Sequence, residues 1–243
     1  MRFSILLAVS ALLLAPPIAS AAFTAEQRSE IVTIVREALL QDPTILRDAV
    51  TALQADETAR ERAGAQAALT AMREKLVTPT DPIAGNAKGD VTVVEFFDVR
   101  CPYCKKLEPE MAKLLAADKG VKLVYKDLPI LGPASTLGAK ALLAAHRQNA
   151  YEKFRDAVMA MPGDIGMASL EAVAKKQGLD WAKMARDIDD PAIRAQLDAN
   201  LALAHTLNIQ GTPALIVGEE VVPGAIDAAE MKKLVAAARK TKG

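Results

Sequence analysis

The chain has two cysteines, Cys101 and Cys104, and they stand two residues apart in V-V-E-F-F-D-V-R-C-P-Y-C. A thiol pair at this spacing, after an apolar run and before a helix-forming stretch, suits thiol–disulfide exchange. Structural disulfides join distant segments and remove loop entropy from the unfolded chain. A bridge between Cys101 and Cys104 closes almost no loop, so it reads as a redox-active disulfide, a bond to be made and broken. Where a strand gives way to a helix, the Cys101 sulfur is expected to face unpaired N–H groups and the positive end of the helix dipole. Both favour a thiolate. Pro102 occupies the first helical position, where the missing N–H costs nothing. Cys101 is therefore the expected nucleophile. Cys104, one turn on and shielded by its neighbours, is the expected resolving thiol.

Glu95 sits inside the apolar run that leads to these cysteines. A carboxylate buried without a partner is costly, so its proton affinity should rise. In that position it suits a proton relay to and from Cys104. The plainer alternative is a solvated glutamate at a sheet edge. A zinc site is not expected, because four ligands are needed and the chain offers two cysteines and two histidines. His146 and His205 fall in helical stretches and read as packing or surface residues. Two exposed thiolates do make a soft site for copper(I), which is the competing function. Thiol exchange itself requires no cofactor.

The elements that must position these residues follow from periodicity. Val91 to Phe97 is nearly continuous apolar sequence of strand length, the pattern of a strand covered on both faces. A helix from Pro102 to about Ala117 and a strand over Val121 to Lys126 complete a βαβ unit. Residues of about 134–207 are helical, Ala214 to Val217 and Val221-Val222 read as a hairpin, and Asp227 to Ala238 as a closing helix. The fold class is α/β, a small domain over 81–243 interrupted by a helical insertion.

An all-helical extension over 23–80 precedes it. Thr24 and Gln27 form a capping-box start, and Ile31, Ile34, Val35, Ala38 and Leu39 recur at helical spacing. Asp42-Pro43 restarts a helix with Pro43 as its first residue, and Ile45, Leu46, Ala49, Val50 and Leu53 give it a stripe. From Asp56 to Glu74 the helix is expected to be a solvated stem, and Pro79 and Pro82 end it. Short amphipathic helices cannot bury a stripe alone, so the extension reads as a homo-oligomerisation arm. The alternative is an extra layer on the domain behind it. An oligomeric holdase that needs no cysteine is the non-catalytic reading of the same arm.

Residues 1–22 carry Arg2, an apolar core from Ile5 to Leu14 and small residues at Ala19-Ser20-Ala21-Ala22. This is the pattern of a signal peptide cleaved near Ala21 or Ala22, with a periplasmic product. Lys+Arg and Asp+Glu balance at 30 each, and loss of Arg2 leaves the remainder near −1. A near-neutral chain without a basic cluster is not expected to bind nucleic acid.

The quoted stretch, with G-T-P-A at 211 to 214 and V-P-G-A at 222 to 225, resembles the DsbA family of periplasmic dithiol–disulfide oxidoreductases. The resemblance implies a thioredoxin fold with an inserted helical subdomain. It also implies a cis-proline at Pro213, preceded by Thr212, facing the cysteine pair and pairing with an extended substrate. Substrates are then cysteine-containing secreted proteins, with a membrane redox partner. Tyr103 stands where DsbA itself has histidine, and Thr212 where it has valine. Both substitutions are similar to the isomerases DsbC and DsbG and imply a milder oxidant. Pro102, Tyr103, Thr212 and Pro213 are the implied substrate-facing residues. The extension resembles the N-terminal region of ScsC-type proteins, which implies oligomerisation.

Overall fold

The computed structural model describes residues 23–241, so the signal peptide expected over 1–22 lies outside the described residues. The chain forms two compact units, one ending at Thr58 and the other beginning at Ala59. In the first, α1 (Ala25–Gln41) starts on the expected capping box. The Gln27 N–H donates to Thr24 Oγ1 at 3.2 Å, and the Thr24 N–H donates to Gln27 Oε1 at 2.9 Å. Helix α2 (Thr44–Leu76) begins one residue later than expected, because Pro43 lies in the turn and Asp42 Oδ1 accepts from the Thr44 N–H at 3.0 Å. Ile31, Ile34, Val35, Ile45, Leu46, Val50 and Leu53 are all exposed in this unit.

The second unit is built on a five-stranded mixed sheet in the order β1-β3-β2-β4-β5. Central β2 (Val91–Phe97) runs parallel to β3 (Val121–Asp127) and antiparallel to β4 (Ala214–Val217). Strand β5 (Glu220–Pro223) closes one edge as the expected hairpin partner of β4. The opposite edge is β1 (Ile83–Gly85), antiparallel to β3, a strand too short to show a period in the sequence.

Side chains alternate across β2, and both sets are buried. Val91, Val93 and Phe97 pack with Leu107, Met111 and Leu114 of α3 (Pro102–Ala117) and with Met231 and Val235 of α9 (Ala228–Thr241). The same core takes in the insertion: α4 (Pro133–His146), α5 (Tyr151–Met159), α6 (Met167–Lys176), α7 (Trp181–Asp187) and α8 (Pro191–Thr206). Val94 and Phe96 face the other way, onto Val124, Ile216, Leu203 of α8 and Leu69 of α2.

Leu69 corrects the reading of a solvated stem. It is buried, with Ala68, Met72 and Leu76 packed around the same cluster. These residues recur at three- and four-residue spacing and form one apolar face among the charges. Helix α2, which lies wholly within the segment expected as the arm, thus passes from the first compact unit into the second, and its residues from Ala59 onward belong to the second.

Two buried polar groups brace β3 against its surroundings. The Lys126 ammonium pairs with Asp81 at 2.6 Å and donates to the Lys75 carbonyl at 3.1 Å. Asp127 accepts from the Tyr151 hydroxyl at 2.8 Å, and burial pushes its carboxyl up from 3.8 to about 7. Between those two values the folded chain keeps a proton that the unfolded chain has lost, so stability falls as pH rises through this window. The cost is on the order of 4 kcal/mol at and above neutrality. Asp127→Asn should reduce this slope, melting above the wild type at pH 8 and close to it at pH 4. Thermal melts of both proteins across that range check it. The slope should shrink rather than vanish, because burial also raises Glu95.

Candidate active site

Cys101 is the N-cap of α3 and Pro102 its first residue, as the spacing predicts. The turn before it is set by Asp98, whose carbonyl accepts from the Cys101 N–H at 3.0 Å. The Asp98 carboxylate accepts from the N–H groups of Arg100 at 2.8 Å, Ile130 at 2.9 Å and Leu131 at 3.0 Å. One buried carboxylate therefore holds the cysteine turn and the loop after β3 together. Sequence reading had passed over Asp98, although a lone aspartate closing an apolar strand is a signal for such a brace.

The Cys101 side chain makes no hydrogen bond to the start of its own helix, contrary to the expected orientation. The thiol instead donates to the Thr212 carbonyl at 3.1 Å. The Thr212–Pro213 bond is cis. The structure thus brings Cys101, Thr212 and Pro213 to one place across the sheet ends. Tyr103 is exposed, with the Lys106 ammonium 5.1 Å from its ring centre. Pro102 is exposed beside it.

Cys101 is only 4% exposed and Cys104 is fully buried, and both are free thiols. Burial pushes the Cys104 thiol far above its ordinary range; a hydrogen bond with the Asp98 backbone opposes this, and the charges of Cys101 and Glu95 add to it. Cys104 therefore ionises only if a nearby group takes its proton.

Glu95 lies on the face of β2 that packs against α3, 1% exposed, so the alternative of a solvated edge residue does not hold. Burial raises its carboxyl, partly countered by Arg155 and reinforced by Glu108. Arg155 comes from α5, with its guanidinium 3.6 Å from Glu95 and 2.8 Å from Glu108. It also lies 4.7 Å from the ring centre of Phe97 and 4.5 Å from that of Tyr125, in cation–π range. Neither Arg155 nor Glu108 was read from the sequence as part of the site. An arginine beside Phe154, on the buried stripe Tyr151, Phe154 and Val158, is a recognisable signal. Glu108, four residues after Cys104 on one helix face, is another.

His146 is half-buried with its ring edge-on to Tyr151 at 5.9 Å, and His205 is exposed, so neither joins the cysteines. Among the described residues no three potential metal ligands cluster. Among them, too, no helix is long and apolar enough to cross a membrane.

Residues 77–237 match the thioredoxin family, and residues 27–60 match the copper resistance protein ScsC N-terminal domain. A thioredoxin-like oxidoreductase from Silicibacter pomeroyi is 41% identical with a TM-score of 0.65, over 67% of this chain and 94% of that one. A linker-deleted ScsC of Proteus mirabilis is 27% identical with a TM-score of 0.67, over 93% of this chain and 100% of that one. The thiol:disulfide interchange protein DsbA of Bordetella parapertussis is 28% identical, over 60% of this chain and 71% of its own length. The chain also matches Na(+)/H(+) antiporters NhaA and spans about a quarter of their length, 23% for that of Salinispora tropica. The chain belongs to the thioredoxin family, and it is similar to thiol oxidoreductases of the DsbA and ScsC types.

Proposed function

We propose that the protein forms and shuffles disulfides in exported polypeptides, with Cys101 as the attacking thiol and Cys104 as the resolving one. The observation that carries this is the Cys101 sulfur set 3.1 Å from the Thr212 carbonyl, beside cis-Pro213, with Cys104 sealed behind it. A substrate strand pairing with the Thr212 backbone brings its own sulfur to Cys101 and not to Cys104. Glu95 takes the Cys104 proton when the mixed disulfide is resolved and returns it in the reverse direction. Tyr103, Pro102, Thr212 and Pro213 form the substrate-facing surface. A signal peptide over 1–22 delivers the protein to the periplasm, where a membrane redox partner resets the cysteine pair.

The exposed apolar stripe from Ile31 to Leu53 supports an arm that joins copies of the chain. Several sites facing one misfolded client raise the effective concentration of attacking thiolate, which favours isomerisation. Copper(I) binding by the thiols gains no support from the matched ScsC segment, since residues 27–60 contain no cysteine, histidine or methionine. Stoichiometric copper retention by the reduced protein, lost on replacing both cysteines with serine, would reverse that ranking.

Incubated with a disulfide-containing peptide, the reduced Cys104→Ser protein should accumulate a peptide adduct on Cys101, detectable by mass spectrometry. Cys101→Ser should form none. In the intact pair Glu95→Gln should slow release of the peptide by about 100-fold, the usual scale of one positioned acid or base. Adducts forming first on Cys104 would overturn the assignment.

A chain beginning at Ala59 keeps Leu69 in the core and therefore tests the arm more cleanly than one beginning at residue 81. It should run as a monomer in light scattering and retain dithiol oxidation. Its rescue of scrambled disulfides should fall well below that of the full chain. Equal rescue by both would remove the arm from the activity.

A further inference from the structure

Cys104 has a proton to lose at the moment a substrate linked to Cys101 covers the exposed face of the site. The proton needs another way out, and a ladder of charge leads away from that face. Glu95 is 1% exposed, the Arg155 side chain 4%, Glu108 25% and Asp156 62%. Arg155 links all three carboxylates, at 3.6 Å to Glu95, 2.8 Å to Glu108 and 3.3 Å to Asp156. Glu108, Tyr125, Glu152, Arg155 and Asp156 line a cleft of about 360 Å³ between α3 and α5.

We propose that Arg155, carried by the helical insertion, is the positioning residue that keeps Glu95 able to accept the Cys104 proton, and that the α3–α5 cleft carries this proton to water. The proposal rests on the thiol-exchange reading above.

Two features of the geometry support it. Arg155 is fixed against the rings of Phe97 and Tyr125, so its charge stands at a set distance from Glu95. Its hydrogen bonds go to Glu108 and Asp156, leaving both Glu95 oxygens without a hydrogen-bond partner among the described residues. A carboxylate held by charge alone, with both oxygens open, remains free to bind a proton. The guanidinium stays charged throughout and serves as counter-ion rather than proton carrier.

The chemical step balances. The Cys104 thiol gives its proton to the Glu95 carboxylate, and the resulting thiolate attacks Cys101 Sγ in the mixed disulfide. The Cys101–Cys104 bond forms as the bond to the substrate sulfur breaks, and the substrate leaves as a thiolate. Two electrons pass from the enzyme dithiol to the substrate disulfide. Glu95 then passes its proton by way of Glu108 to water in the cleft.

The groups facing Glu95 act with opposite signs. Arg155 of α5 favours its charged form, whereas Glu108 of α3 opposes it. Cys104 of α3 shares its surroundings, the Tyr125 phenol of β3 stays protonated because burial raises it, and Glu152 and Asp156 of α5 add negative charge around Arg155 and Tyr125. Removing Arg155 should leave Glu95 protonated to higher pH, and removing the Glu108 charge should do the reverse.

The test is the rate at which Cys104 releases a peptide disulfide-linked to Cys101, measured against pH in the full chain. In Arg155→Met the midpoint of that profile should move up by about one pH unit, a loss of about tenfold at neutral pH. In Glu108→Gln it should move down, and in Arg155→Lys it should return part of the way to wild type. Alkylation of Cys101 in a Cys104→Ser background should keep one pH profile in all of them. Midpoints that stay put, or that move in the same direction for Arg155→Met and Glu108→Gln, overturn the proposal. Glu108 is partly exposed, so Glu108→Gln still decides the sign if Arg155→Met does not fold. A wild-type protein that exchanges no thiols at all overturns the functional reading instead, which is a separate result.

Discussion

An ionisable carboxyl in the middle of a sheet covered on both faces is the constraint around which the catalytic unit is arranged. Burial of a charge costs several kcal/mol even after relaxation, and the cost is met by a counter-charge or by protonation. Glu95 has access to both. Its counter-charge cannot come from its strand neighbours, because Tyr125 and Leu215 flank it in the ladder. It comes from Arg155, on a helix of the insertion. The insertion therefore supplies an electrostatic part of the site, and its packing onto α3 is what brings that part within 3.6 Å.

The same constraint explains the asymmetry of the two cysteines. Both sulfurs sit under apolar cover, yet Cys101 reaches a carbonyl at the sheet ends whereas Cys104 points into the core. A thiol in that position stays protonated unless its proton has somewhere to go. An unaccompanied buried Cys104 would be inert, and an unaccompanied Glu95 would be a defect in the strand. In the proposed relay each gives the other a use.

Much of this was legible in the sequence because it rests on local pattern. The apolar run from Val91 to Phe97, Pro102 after Cys101, and the hairpin before the closing helix each carry their own signal. Thr212 and Pro213 were placed near the cysteines by resemblance, since no local pattern spans 111 residues of separation. Arg155 was missed for a related reason. Its partners Glu95 and Glu108 lie on other elements, and only the fold reveals that an arginine on a buried stripe has found two carboxylates. Leu69 was missed because alanine and charged residues surround it, so its face shows only when Met72 and Leu76 are counted with it.

Helix α2 draws the two halves of the sequence together. Its later residues Gly64, Ala65 and Ala68 line a cavity of about 620 Å³ with Thr212, Pro213 and Gly224. Small residues along that face leave room beside the cis-proline loop, where larger side chains would fill it. The later part of α2 thus forms one wall beside the cis-proline loop. A sequence divided at residue 80 into arm and enzyme would assign that wall to the wrong half. Division after Thr58 keeps Leu69, the cavity wall and the cysteine pair in one compact unit, as the burial of Leu69 against Val94, Phe96 and Leu203 requires.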